Sequence, residues 1–67
     1  MTVDDIGFAA GRVWRYLLEC QPVALSRIAR EVEGGQTLVL MAVGWLAREG
    51  KVEFVEEGRV RLVRLRD

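Results

Sequence analysis

A mainly α fold with a small β-hairpin is what this 67-residue chain predicts, from three observations. Apolar residues recur at helical spacing as far as Glu49. Apolar and polar residues then alternate in two short runs between Lys51 and Leu65. Pro22, Gly34-Gly35, Gly50 and Gly58 fall at the boundaries between these stretches, where chain-breaking residues belong.

Thr2 is placed to cap the first helix, with Asp5 three residues on to complete a capping box. The helix then runs to Cys20. Ile6, Ala10, Val13, Leu17 and Cys20 form one continuous stripe. Gly7, Gly11, Trp14 and Leu18 form a second stripe about 100° round, whose glycines permit close approach of another element. Arg12, Arg15 and Glu19 are expected to face away from both. Gln21-Pro22 ends the helix, because proline cannot donate and pushes the residue before it out of the α region.

Val23-Ala24-Leu25 suits a short extended segment. A brief helix from Ser26 to Glu33 follows, with Ile28, Ala29 and Val32 inward and Arg27, Arg30 and Glu31 outward. Gly34-Gly35 stops it, Gly34 being suited to a left-handed C-cap. The third helix runs from Thr37 to Glu49 and is stopped by Gly50. Lys51 to Val55 reads as a strand, Glu56-Glu57-Gly58-Arg59 as a tight turn, and Val60 to Leu65 as the returning strand. The alternation slips at Leu62-Val63, which suggests a bulge or a strand covered on both sides.

Helix, short strand, helix, tight turn, helix, hairpin is the order of a winged helix-turn-helix domain. It is a three-helix bundle in the order H1-S1-H2-H3-S2-wing-S3. Residues 1–67 form one such domain, with the helix-turn-helix at 26–49 and the wing tip near Gly58.

Composition narrows the function classes. Hydrophobic residues make up 51% of the chain, rich for a domain that buries only about 60% of its unfolded surface. Some of that apolar surface is expected to be reserved for a partner. The longest apolar run, Leu38 to Ala47, falls short of the roughly 20 residues a membrane span needs, so no membrane is expected as a partner. No basic signal region precedes Asp4 and Asp5, and Cys20 stands alone, which together point to the reducing cytoplasm.

Ten basic and ten acidic residues cancel, so no overall field draws the chain to nucleic acid. With no His in the chain, Cys20 offers neither a metal site nor an activated nucleophile. No phosphate loop or nucleophile-elbow pattern occurs, and the chain is too short to enclose a sizeable pocket. The expectation is therefore no enzyme, no cofactor, no metal and no small-molecule substrate.

The segments Ala10-Gly11-Arg12-Val13-Trp14-Arg15-Tyr16-Leu17 and Ala42-Val43-Gly44-Trp45-Leu46-Ala47-Arg48-Glu49-Gly50-Lys51 carry a resemblance. They look like the signature stretches of a family of small prokaryotic winged helix-turn-helix proteins whose function is unassigned. The resemblance spans nearly the whole chain. It implies the fold and a tendency to dimerise, not an activity.

The third helix carries the functional argument. Val39, Ala42, Val43 and Leu46 form its inward stripe, which leaves Thr37, Met41, Gly44 and Arg48 opposite, flanked by Leu38, Leu40 and Trp45. A helix that reads base edges needs polar groups on that face. Here only Thr37 and Arg48 qualify. Placing Leu40, Met41 and Trp45 against base edges would strand hydrogen-bonding groups at roughly 1–3 kcal/mol each.

Leu, Met and Trp are instead the composition of an interface core. The leading expectation is a regulator-like module that forms a homodimer through Leu40, Met41, Gly44 and Trp45, with Gly7, Gly11 and Trp14 as a second surface. Arg59, Arg61, Arg64 and Arg66 in the wing would then supply any contact to double-stranded DNA. Glu53, Glu56 and Glu57 offer these arginines cross-strand partners instead. The alternatives are a conventional DNA-binding regulator that uses Thr37 and Arg48 of the third helix, and an adaptor docking on a larger complex.

Overall fold

The computed structural model describes residues 1–66. Its elements are α1 (Val3–Cys20), β1 (Val23–Ala24), α2 (Leu25–Glu31), α3 (Gln36–Arg48), β2 (Val52–Glu57) and β3 (Val60–Leu65). Three helices pack on a three-stranded antiparallel sheet in the order β1-β3-β2, the architecture of a winged helix-turn-helix.

The capping box at the start of α1 is present in both directions. The Asp5 amide donates to Thr2 Oγ1 at 3.2 Å, and the Thr2 amide donates to Asp5 Oδ2 at 2.8 Å. The first stripe of α1 turns inward: Ala10, Val13 and Leu17 are buried, joined by Ala9. Val13 and Leu17 meet Ile28 of α2, Val39 and Val43 of α3 and Val63 of β3 in a core with no buried polar side chain among the described residues. At the far end of α1, the Gln21 side chain accepts a hydrogen bond from the Leu65 amide at 2.7 Å. The last residue of β3 is thereby tied to the helix that begins the chain.

Five local expectations change. Leu25 opens α2 rather than closing the extended segment, and α2 ends at Glu31. Val32 leaves the helix with φ −77° and ψ 132° while its side chain stays in the core. Gly34 is not a left-handed C-cap: its φ is 130°, and together with Gly35 at 90° it forms the loop that launches α3. The carbonyl of Gly35 accepts the first bond of that helix, from Val39 at 3.0 Å.

Arg12 does not face away. Its Nε donates to the Glu33 carbonyl at 3.0 Å, and its Nη2 lies 2.8 Å from where a Cβ on Gly34 would stand. Any side chain at residue 34 would collide with the guanidinium that holds the loop, on top of the strain of its φ. β2 extends through Glu57, so the hairpin loop contracts to Gly58-Arg59. Gly58 has φ 61° and Arg59 does not have positive φ, the pattern of a two-residue turn with glycine leading. The β2–β3 register is unbroken from Val52↔Leu65 to Glu57↔Val60, so no bulge occurs at Leu62-Val63. β3 is the middle strand, with Val63 buried under the helices and Leu62 half-buried on the opposite face between Ala24 and Val55.

Glu31 joins α2 to α1. It accepts from Tyr16 Oη at 2.9 Å and from Arg27 Nε at 2.9 Å. These bonds, Arg27 first, hold the Glu31 carboxyl below its ordinary value, and desolvation followed by the bond to Glu31 pushes the Tyr16 hydroxyl up. A depressed carboxylate contributes stability above its unfolded value of 4.5, and that contribution is lost as pH falls through the lower folded value. Glu31→Gln should therefore be less stable than the parent at pH 7 in urea unfolding, with the gap closing below pH 4. A gap that persists at low pH would show that the carboxylate's charge is not what matters. Leu17→Ala, at a fully enclosed position, should cost about 2–5 kcal/mol by the same measurement.

Candidate protein interface

The outward face of α3 follows from how its inward face is seated. Val39, Ala42, Val43 and Leu46 are all buried, so the helix cannot rotate. Thr37, Met41, Gly44 and Arg48 therefore stand in solvent, while Leu38 packs partly onto the core. Leu40, Met41, Trp45 and, on α1, Trp14 retain 40–44% exposure although all four are large apolar side chains.

The surface anticipated on α1 meets the one anticipated on α3 at Trp45. Gly7, Gly11 and Trp14 line a groove together with Trp45, and its volume is about 470 Å³. Met41 lies one turn from Trp45 on α3, which extends the apolar face beyond the groove. Arg15, Glu49 and Lys51 form the polar rim, with Lys51 Nζ 3.7 Å from Glu49 Oε1. Apolar floor and charged rim are the anatomy of a protein interface.

The glycines do not serve packing within the chain. A Cβ on Gly7 or Gly44 would meet no atom within 4 Å, and one on Gly11 would meet only the end of the Arg15 side chain at 3.6 Å. Each glycine inside a helix costs about 1 kcal/mol relative to alanine. No element of this chain makes the close approach that would offset that cost among the described residues.

Leu40 belongs to a second groove of about 400 Å³, between the starts of α2 and α3 and the wing. Ser26, Gln36, Arg59 and Arg61 line it along with Leu40 and Val60. The four wing arginines do not form one surface. Arg64 pairs with Glu53 at 2.6 Å, and Arg61 pairs with Glu56 at 3.3 Å. Those two arginines project from opposite faces of β3, since their positions differ by an odd number. Arg59 sits at the tip and Arg66 beyond the strand, next to Lys51 by its backbone bond. Thr37 and Arg48 lie at opposite ends of α3 and share no groove.

Among the described residues no group of three or more His, Cys, Asp or Glu could hold a metal ion. No helix there is long and apolar enough to cross a membrane. Two further large apolar residues of α1 lie open outside both grooves: Leu18 continues the line of Trp14, and Phe8 is exposed on the polar side of the helix.

Comparison with known proteins agrees with the architecture. The solution structure of protein BT2368 from Bacteroides thetaiotaomicron is 32% identical and superposes with a TM-score of 0.83, over 97% of this chain and 79% of that one. The crystal structure of AF1382 from Archaeoglobus fulgidus, 21% identical, has a TM-score of 0.61 over 100% of this chain and 72% of that one, and so shares the fold. No curated protein sequence matches. The model of the family described as "Winged helix-turn-helix domain (DUF2582)" matches residues 1–65, and with this fold, and a relative as similar as BT2368, the chain belongs to that family.

Proposed function

We propose that the protein is a non-catalytic, regulator-like module that self-associates through the apolar face shared by α1 and α3. The observation that carries this reading is the meeting of Trp14, Trp45, Gly7 and Gly11 in one groove, continued by Met41, which no other described residue covers. An exposed Trp–Trp–Met surface loses water on association and gains about 25 cal/mol per Å² of apolar area removed. Trp is enriched among the residues that carry most of the binding energy in such a patch.

Sedimentation at tens of micromolar tests the proposal. The parent should run as a dimer, and Met41→Glu or Trp45→Glu should run as folded monomers. A monomeric parent would overturn it. An adaptor for a larger complex would use the same face and would leave the isolated chain monomeric.

Gly44→Ala separates folding from association. It should stabilise the monomer by about 0.5–1 kcal/mol in urea unfolding, because nothing within the chain opposes the added methyl. In the same protein it should weaken self-association, because a partner packed on the bare backbone would be displaced. Gain in both measurements would remove Gly44 from the interface.

A second reading concerns the wing. Arg59 and Arg61 border the groove that opens beside the start of α3, where Gln36 and Ser26 add hydrogen-bonding groups. That combination suits contact with a phosphate backbone rather than base reading, since Leu40 and Met41 occupy the outward positions of α3. Duplex binding of this kind should be insensitive to sequence, should fall steeply with added salt, and should be lost in Arg59→Ala/Arg61→Ala. Base reading by α3 would instead make it depend on sequence and on Thr37 or Arg48.

A further inference from the structure

The outward arc of α1 carries a stripe with its own order. Tyr16 and Arg12 turn toward α2, while Ala10 and Trp14 turn toward the groove beside α3. On the arc midway between them, Gly11 and Arg15 reach the rim of that groove, while Asp4, Phe8 and Leu18 line neither groove described above. Along the centre of the arc lie Asp4, Phe8, Gly11, Arg15 and Leu18. Their spacing alternates between three and four residues, which is the seam spacing of two paired helices.

The apolar members are strongly exposed: Phe8 68% and Leu18 52%. Asp4 and Arg15 are also exposed, and neither joins an ion pair among the described residues, although four other pairs form. A Phe left this open on an otherwise well-seated helix has no account within the monomer.

We propose that α1 of a second copy lies antiparallel on this stripe, with the two-fold axis passing midway between Ala9 and Ala10. In that register the stripe meets only itself. Phe8 faces the partner's Gly11, Asp4 faces the partner's Arg15, and Leu18 reaches the start of the partner's helix. Each contact occurs twice by symmetry. Gly11, with no Cβ, leaves room for an aromatic ring against the helix backbone, and Arg15 need only swing off Gly11 to reach its acid. A parallel arrangement would stack Asp4 on Asp4 and Arg15 on Arg15. Centring the axis on Gly11 would face Asp4 with Leu18. Only the first register satisfies every position.

This pairing rests on the self-association reading and specifies its two-fold contact, with Trp14 and Trp45 at the flank. Charge reversal tests it by sedimentation velocity at low salt, with circular dichroism to follow folding. Asp4→Arg and Arg15→Asp should each weaken the homodimer roughly tenfold or more, because each places two like-charge contacts in the interface. Mixed in equal amounts, the two variants should form a heterodimer, since every charge then meets its opposite. The double variant should dimerise like the parent. Because the double variant keeps Arg at residue 4 in the first turn of α1, its recovery of the dimer excludes a helix-terminus effect as the sole cause.

Single variants that dimerise like the parent, or a mixture that stays monomeric, would overturn the register. If Met41→Glu still dissociates the parent in that case, self-association through the shared face stands and only the α1 pairing falls. A monomeric parent would overturn both.

Discussion

The seating of Val13 and Leu17 among Ile28, Val39, Val43 and Val63 is the contact on which the rest of the structure depends. It joins all three helices and the middle strand through side chains that are fully enclosed. Because α1 is cylindrical, fixing two inward residues one turn apart fixes the direction of every other residue on it. The outward positions of Phe8, Trp14 and Leu18 are thus consequences of core packing, not of any preference of their own. The same holds for α3, where four buried residues leave Met41 and Trp45 no inward option.

Polar contacts refine that arrangement without creating it. Arg12 holds the α2–α3 loop by a carbonyl, Tyr16 and Arg27 converge on Glu31, and Gln21 ties the end of β3 to the end of α1. All three lie at the edges of the core and are exposed to solvent, so each contributes modestly. Together they set where the short α2 stops and how α3 departs, which decides where the two grooves open.

Much of this could be read from residue order. The inward faces of α1 and α3 were legible because periodicity alone determines them once the helices exist. The capping box was legible because its two residues act locally. The end of α2 was not, since Val32 continues the apolar pattern after the backbone has left the helix. Arg12 was misplaced because a long side chain can reach a carbonyl on another element, which spacing along one helix does not encode. Glu56 and Glu57 resemble turn residues but lie in an exposed strand, where the partner strand rather than propensity decides. The exposed apolar residues of α1 and α3 were legible one by one. The meeting of Trp14 with Trp45 along one groove depends on how α1 crosses α3, a quantity absent from any helical wheel. Phe8 escaped because a lone aromatic among charges forms no stripe until the seam of Asp4, Gly11 and Arg15 is traced.

β2 is the longer of the two edge strands of the sheet, and three of its six residues are Glu53, Glu56 and Glu57. An unpaired edge in so apolar a small protein is a template for runaway strand-to-strand aggregation. Two copies of β2 brought edge to edge would have to seat charged side chains along the ladder, Glu53 and Glu56 with their arginine partners and Glu57 without one among the described residues. The charged edge therefore opposes open-ended strand addition, so that the self-association proposed for the helices would end in a finite complex rather than a growing fibre.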